Sequence, residues 1–182
     1  MRKPATIISI LVIAVFAYWV FAVRDFKLTP SAITTFEECV SRGFPVMESY
    51  PRQCRTDSGK TFTEDIGNAL EKNDLVRVTT PAPNSAVKSP LIVQGEARGY
   101  WFFEASFPVK ILDGNGTTLG VGIAQANPPA HGDWMTENFV PFSTTLVFNI
   151  PATKHGTLVL EKDNPSGLPE HGDKLHFPVV FE

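Results

Sequence analysis

The sequence predicts an all-β protein whose main domain is a two-layer sandwich. Short runs of alternating apolar and polar residues recur from Leu75 to Glu182, and a period of two indicates a strand with one buried face. Turn-forming residues separate these runs, since the chain contains 15 Pro and 13 Gly, which suits many short strands better than helices. One run begins with a tryptophan, which is typical of the core of many sandwiches.

The tryptophan-led run, Trp101 to Ile111, is predicted as the third strand and the centre of the core. Its odd-numbered positions are all apolar, and we expect its large members to be core residues: Trp101, Phe103, Phe107, Val109 and Ile111. Pro108 lies in the middle of the run. Because proline donates no hydrogen bond to a ladder, it indicates an edge position or a bulge there.

Six further runs complete the sandwich. Their expected inward-facing residues are Val76 and Val78; Leu91, Val93, Gly95 and Ala97; Leu119, Val121 and Ile123; Leu146, Phe148 and Ile150; Leu158 and Leu160; and Leu175, Phe177, Val179 and Phe181. Residues 113–116 (Asp-Gly-Asn-Gly) predict a hairpin turn rather than a calcium loop, whose twelfth position would be Ala124 instead of an acidic residue. About seven strands over residues 75–182 fit an immunoglobulin-like β-sandwich.

Three segments carry a family resemblance: residues 87–95 (VKSPLIVQG), 101–109 (WFFEASFPV) and 162–167 (KDNPSG). The tryptophan-led strand and the Asn-Pro-Ser-Gly turn together resemble the immunoglobulin-like domain of bacterial spore germination. The resemblance extends over residues 75–182. It implies a bacterial, exported, non-catalytic sandwich, and it brings no catalytic residues with it.

Residues 1–24 are predicted to form a transmembrane anchor. Ala5 to Val23 carries no charge and covers ~28 Å as a helix, about the thickness of a bilayer core. Arg2 and Lys3 precede it, so we expect a single-pass protein of the bacterial cytoplasmic membrane with its N-terminus inside and the bulk of the chain extracytoplasmic. A cleaved signal peptide is the alternative, although its apolar region would span only ~7–15 residues.

Residues 25–66 are predicted to form a stalk and a small cysteine-loop unit, joined to the sandwich by a connector, residues 67–74. Cys39 and Cys54 are the two cysteines of the chain, and an isolated pair in an exported segment predicts a disulfide. Such a cross-link is what a segment with so small a core needs. The spacing is not that of a redox C-x-x-C pair.

The charge balance argues against nucleic acid as a partner. Without the first 23 residues the chain has 14 basic and 19 acidic side chains, a net charge of −5, and no cluster of Lys or Arg. The sequence also contains no Gly-x-Ser-x-Gly, no His-Glu-x-x-His and no phosphate loop, and we expect no cofactor.

A repeated Pro-x-His-Gly-Asp pattern supports the enzyme alternative. It contains His131 and Asp133, and again His171 and Asp173. If consecutive strands alternate direction, both copies lie at one end of the sandwich, where two His and two Asp would suit a divalent metal of a hydrolase. Against this, Pro, Gly and Asp are ordinary turn residues.

The prediction we favour is a non-catalytic binding or assembly module of the bacterial cell envelope, for which the family resemblance implies a role in germination or sporulation. Its partners would be the membrane, through the N-terminal helix, and another envelope protein or cell-wall polymer. Tyr100, Phe102 and Glu104 are the predicted contact surface, because the alternation places Phe102 on the outward face beside Glu104.

Overall fold

The computed structural model describes residues 32–127 and 133–182. The chain divides into two compact units, Met1–Thr34 and Thr35–Glu182, and every element below belongs to the second. The predicted anchor, residues 1–24, lies outside the described residues. Within the described residues, no helix has the length and apolar character needed to span a membrane.

A small disulfide-stapled segment opens the second unit. Helix α1 begins after Thr35, whose hydroxyl accepts a hydrogen bond from the Glu38 N–H at 3.1 Å, and Gly43 follows it with a φ of +80°. Three short strands follow in the order β1-β2-β3. The elements are α1 (Phe36–Ser41), β1 (Val46–Met47), β2 (Gln53–Arg55) and β3 (Thr61–Thr63).

The predicted disulfide between Cys39 and Cys54 is confirmed. It joins α1 to β2, and both cysteines are fully buried. Phe36 and Phe62 are the other buried apolar side chains of this segment, and a core of this size gains much of its stability from such a cross-link.

Eight strands follow and form one continuous hydrogen-bonded sheet. They are β4 (Val76–Thr80), β5 (Ala86–Val87), β6 (Leu91–Arg98), β7 (Ser106–Asp113), β8 (Thr118–Ala126), β9 (Phe139–Leu146), β10 (His155–Glu161) and β11 (Lys174–Phe181). The order is β4-β6-β9-β8-β7-β10-β11-β5, and all pairs are antiparallel except β5 with β11. The prediction of an all-β domain is confirmed, and the eighth strand is the two-residue β5.

The sheet folds over on itself to make the two layers of the sandwich. β8 pairs with β9 at Gln125–Ser143 and Ala126–Phe142, and the N–H of Asn149 continues the same register by donating to the carbonyl of Leu119 at 3.1 Å. The layers β4-β6-β9 and β8-β7-β10-β11-β5 meet at this pair of strands. Phe142 of β9 meets Phe107 of β7 edge-on, with ring centroids 4.9 Å apart, although β8 lies between these strands in the hydrogen-bonding order. The core therefore lies between the layers, with Trp101, Phe107, Val109 and Ile111 fully buried in it.

The start of the third predicted strand is wrong. Gly99–Trp101 form a turn of 3₁₀ helix, and β7 begins only at Ser106. Glu104 and Ala105 have φ values of +48° and +60° and reverse the chain. Because this reversal interrupts the alternation, Phe103, predicted as core, is 43% exposed.

The predicted inward face of the fourth strand is confirmed at Leu119, which packs against the core, but it is reversed from Gly120 onward. Val121 and Ile123, expected inside, are more than half exposed, and the glycines of β8 face inward instead. A Cβ on Gly120 would lie 2.5 Å from the carbonyl oxygen of Val147, and one on Gly122 would press on a neighbouring leucine. The chain after β9 approaches β8 so closely that larger side chains fit only on the outer face.

The fifth strand also lies earlier than predicted. β9 ends at Leu146, so Phe148 is half-buried beyond the strand and Ile150 is exposed. Pro108 lies inside β7, and β7 pairs with β10 only from Val109 onward. The proline therefore occupies a part of the strand that has a partner on one side only, as its missing donor requires.

The connector packs against the sandwich. The side chain of Asn68 donates to the carbonyl of Lys174 at 2.9 Å and accepts from the N–H of His176 at 2.7 Å. Its own N–H donates to the carbonyl of His176 at 3.1 Å. Asn68 thus completes the edge of β11, and Ile66 beside it is buried.

A buried carboxylate joins the cysteine segment to the sandwich. Glu64 follows β3, is 7% exposed, and accepts hydrogen bonds from Arg52 at 2.6 and 2.8 Å and from Asn84 at 3.1 Å. The hydrogen bonds from the Arg52 guanidinium hold the pKa of Glu64 below its ordinary value, although burial opposes the shift.

Candidate contact surface

Three loops meet at one end of the sandwich, as the alternating strand directions predict. They follow β6, β8 and β10. The N–H of Gly99 donates to the carbonyl of Asn138 at 3.2 Å, and the N–H of Asp163 donates to the carbonyl of Trp101 at 3.1 Å. The chain before β4 reaches the same end, where Lys72 pairs with Asp173 at 2.7 Å.

The loop after β6 contains a tight two-residue turn. Phe103 and Ser106 exchange two main-chain hydrogen bonds, each 3.0 Å long, around Glu104 and Ala105. Positive φ at both central residues is the pattern of a type I′ turn, which Asn-Gly or Asp-Gly normally occupies. Side chains with a Cβ are strained in this conformation, and such strain often occurs at functional sites.

This turn reverses the expected roles of the two phenylalanines. Phe102, predicted to belong to the contact surface, is buried and packs edge-on against Phe107 at 5.1 Å. Phe103 takes its place and is held outward. Phe102 is therefore buried where exposure was predicted, and Phe103 is exposed where burial was predicted.

We call four exposed side chains of the loops after β6 and β8 the loop-end patch: Tyr100, Phe103, Glu104 and Met135. Tyr100 is 52% exposed and Met135 is 70% exposed. The two loops lie against each other, since any side chain at Gly99 would collide with the carbonyls of Trp134 and Thr136.

Arg98 fixes the loops beneath the patch. Its guanidinium donates to the carbonyls of Asp74 at 2.9 Å and Glu137 at 3.1 Å, and it lies over the ring of Phe139 at 4.1 Å. Trp101, fully buried, packs below the same loop. The patch is thus built from exposed side chains on a rigid support.

The surroundings of the patch are acidic. Glu104, Asp133 and Glu137 are exposed on the two adjacent loops. The Asp133 carboxylate accepts a hydrogen bond from the N–H of Met135 at 3.0 Å, which shapes its loop. An apolar centre with a charged rim is the usual composition of a protein-binding surface.

The residues of the enzyme alternative serve as turn formers where the structure describes them. His171 contacts the hydroxyl of Ser166 at 3.2 Å, and Asp173 accepts from the N–H of Lys174 and pairs with Lys72. Among the described residues, no group of three or more His, Cys, Asp or Glu side chains is arranged to hold a metal. His131 lies outside the described residues, so the four-residue set stays a prediction.

Sequence reasoning missed Phe103 and Met135 as surface residues. Met135 follows Asp133 in a loop without periodicity, where no pattern separates exposed from buried residues. A turn motif after Phe103 would have predicted its exposure. Residues 104 and 105 are Glu-Ala, which is not one of the residue pairs preferred in type I′ turns.

Comparison with known proteins gives one family. A family model described as the immunoglobulin-like domain of bacterial spore germination matches residues 75–167, just over half of the chain. The matched range runs from the start of β4 into the loop after β10 and includes the tight turn. No curated protein and no solved structure gives a significant match.

Proposed function

Because the chain belongs to the family of immunoglobulin-like domains of bacterial spore germination, we propose that it is a non-catalytic binding and assembly module of the bacterial cell envelope. It is anchored in the cytoplasmic membrane through residues 1–24 and acts outside it, in germination or sporulation. The loop-end patch holds another envelope protein.

The observation that carries this proposal is the strained turn at Glu104 and Ala105. It holds Phe103 in solvent at a position where the alternation of the sequence would bury it. A strained backbone that exposes an aromatic ring lowers stability, and a gain in binding is the usual compensation.

The composition of the patch favours a protein as its partner. Tyrosine, phenylalanine and methionine are enriched in protein interfaces, and they supply much of the binding energy when a partner's pocket covers them. The acidic rim of Glu104, Asp133 and Glu137 favours a partner that carries Lys or Arg around that pocket. Cell-wall polymer, which aromatic side chains can also bind, is the outcome to be separated from it.

The test is a pull-down from solubilised bacterial membranes with the full chain as bait. Phe103→Ala and Tyr100→Ala are the test variants, and Ile92→Ala is the matched control, because Ile92 is an exposed apolar residue on β6. Sedimentation with purified peptidoglycan is run alongside with the same variants.

We expect one envelope protein to be enriched by the wild type and by Ile92→Ala, and to be lost with Phe103→Ala. A partner that all variants retain would place the contact outside the loop-end patch. Sedimentation with peptidoglycan that depends on Phe103, without any protein partner, would replace our proposal by a wall-binding module.

A further inference from the structure

The outer face of the layer β8-β7-β10-β11-β5 is a broad apolar surface. Since Phe107, Val109 and Ile111 of β7 belong to the core, the residues between them face outward, and β8 (from Gly120), β10 and β11 alternate in the same way. Most outward positions of these four strands are apolar, and we call the following six residues the outer apolar face: Leu112, Val121, Ile123, Val159, Pro178 and Val180.

The strand register makes this face continuous. One row of paired residues crosses all four strands: Val121, Lys110, Val159 and His176. A second row places Leu112 beside Thr157 and Thr157 beside Pro178. Val121 and Ile123 are 56% and 51% exposed at one side of the face.

The outer face of the other layer has a different composition. Its outward positions on β4 and β6 include Arg77, Gln94, Glu96 and Arg98, and Ile92 is an exposed aliphatic residue among them. A continuous apolar surface on only one of two outer faces is typical of a surface that another molecule covers.

An ion pair lies near the centre of the outer apolar face. Lys110 of β7 and Glu161 of β10 are 2.7 Å apart, and about a third of each side chain is exposed (35% and 34%). β7 and β10 are the inner two of the four strands. Lys174, a further charged residue, lies at the end of the face where β11 begins.

We propose that the outer apolar face packs against the same face of a second copy of this chain. An apolar partner or a lipid surface would remove Lys110 and Glu161 from water and supply no charge in return, which is costly. A second copy related by a two-fold axis between these two residues brings Lys110 of each copy against Glu161 of the other. The four charges then alternate in sign, and the aliphatic side chains around them cover one another.

The size of the face suits such a dimer. Four strands about 4.8 Å apart and at least about seven residues long span roughly 19 by 23 Å, or about 440 Å² of sheet plane. The relief of the side chains brings this area towards the roughly 800 Å² that each partner buries in a standard interface. Two sheets can pack face to face in this way, either aligned or crossed. The loop-end patch lies outside this face, so the dimer and the proposed binding function succeed or fail independently.

The test is sedimentation velocity of the full chain in density-matched detergent micelles over a range of concentrations. Lys110→Glu and Glu161→Lys each place like charges opposite one another across the two-fold axis. Glu96→Lys is the matched control, because it breaks the exposed ion pair with Arg77 on the other layer and makes the same change in net charge as Glu161→Lys. We expect each test variant to raise the dimer dissociation constant at least about tenfold and the control to leave it unchanged.

Mixing the two test variants checks the pairing across the axis. Lys110→Glu and Glu161→Lys have complementary charges at both contacts, so we expect heterodimers close to the wild-type affinity. Lys110→Glu mixed with Glu96→Lys should give no such recovery, although the net charges are the same.

Three results would overturn the proposal. The first is a wild type that stays monomeric at about 0.5 mM. The second is a dimer whose affinity neither single variant changes. The third is recovery that is equal in the two mixtures or absent from both, because contacts across the axis require it in only one.

Discussion

At the scale of single residues, Glu104 and Ala105 hold a turn that their side chains disfavour. Both have positive φ, which costs ~1–2 kcal/mol for a residue with a Cβ. The result is that neighbouring phenylalanines exchange environments: Phe102 packs on Phe107, and Phe103 faces solvent. Two backbone torsions thus decide which ring is available to a partner.

This strain predicts that Ala105→Gly stabilises the protein. Glycine removes the clash of the Cβ at a φ of +60°, and we expect the free energy of unfolding to rise by about 1 kcal/mol. Ala152→Gly is the control at an exposed position without positive φ, where we expect a loss of about 0.5 kcal/mol. Urea unfolding followed by tryptophan fluorescence measures both. Equal losses in the two variants would mean that the turn is not strained.

At the scale of elements, β8 shows how an adjacent segment of the same chain determines which face of a strand is buried. Its apolar residues alternate as in any half-buried strand, yet Val121 and Ile123 face outward. The close approach of Val147 leaves room only for hydrogen atoms on the inner face of Gly120. The exposure of Val121 and Ile123 follows from this packing.

The same packing predicts that Gly120→Ala is strongly destabilising. The added methyl group would lie 2.5 Å from the main-chain oxygen of Val147, and the backbone must move to admit it. We expect a loss of at least about 2 kcal/mol in the free energy of unfolding. Gly172→Ala, on an exposed turn where the nearest contact is 3.3 Å, should change it by no more than about 0.5 kcal/mol. Similar thermal shifts for both variants would contradict the register described for β8.

At the scale of the whole molecule, the cysteine segment, the connector and the sandwich share one compact unit. Asn68 bonds the connector to β11, and Glu64 bonds the cysteine segment to Asn84 in the turn before β5. The position of the cysteine segment on the sandwich is therefore fixed by hydrogen bonds as well as by the chain.

This arrangement predicts a dependence of stability on pH. The pKa of Glu64 is lower in the folded protein than in the unfolded chain, so its contribution is present above the unfolded pKa and is lost as the pH falls through the folded pKa. We expect Glu64→Gln to cost about 1–3 kcal/mol at pH 7 and to flatten the decline of stability below about pH 4.5. Glu96→Gln removes a more exposed ion pair and should cost less than about 1 kcal/mol. Parallel pH profiles for wild type and Glu64→Gln would exclude Glu64 as the cause.

Local sequence patterns are enough to predict the all-β class, most strand positions, the disulfide between Cys39 and Cys54 and the buried face of β11. These depend on local alternation, turn residues and the cysteine pairing, which are properties of short segments. Tertiary structure alone decided the outward face of β8 and the exposure of Phe103 in place of Phe102. Alternation reveals that a strand has two different faces, but which face is buried depends on how closely a distant part of the chain approaches, as Val147 does at Gly120.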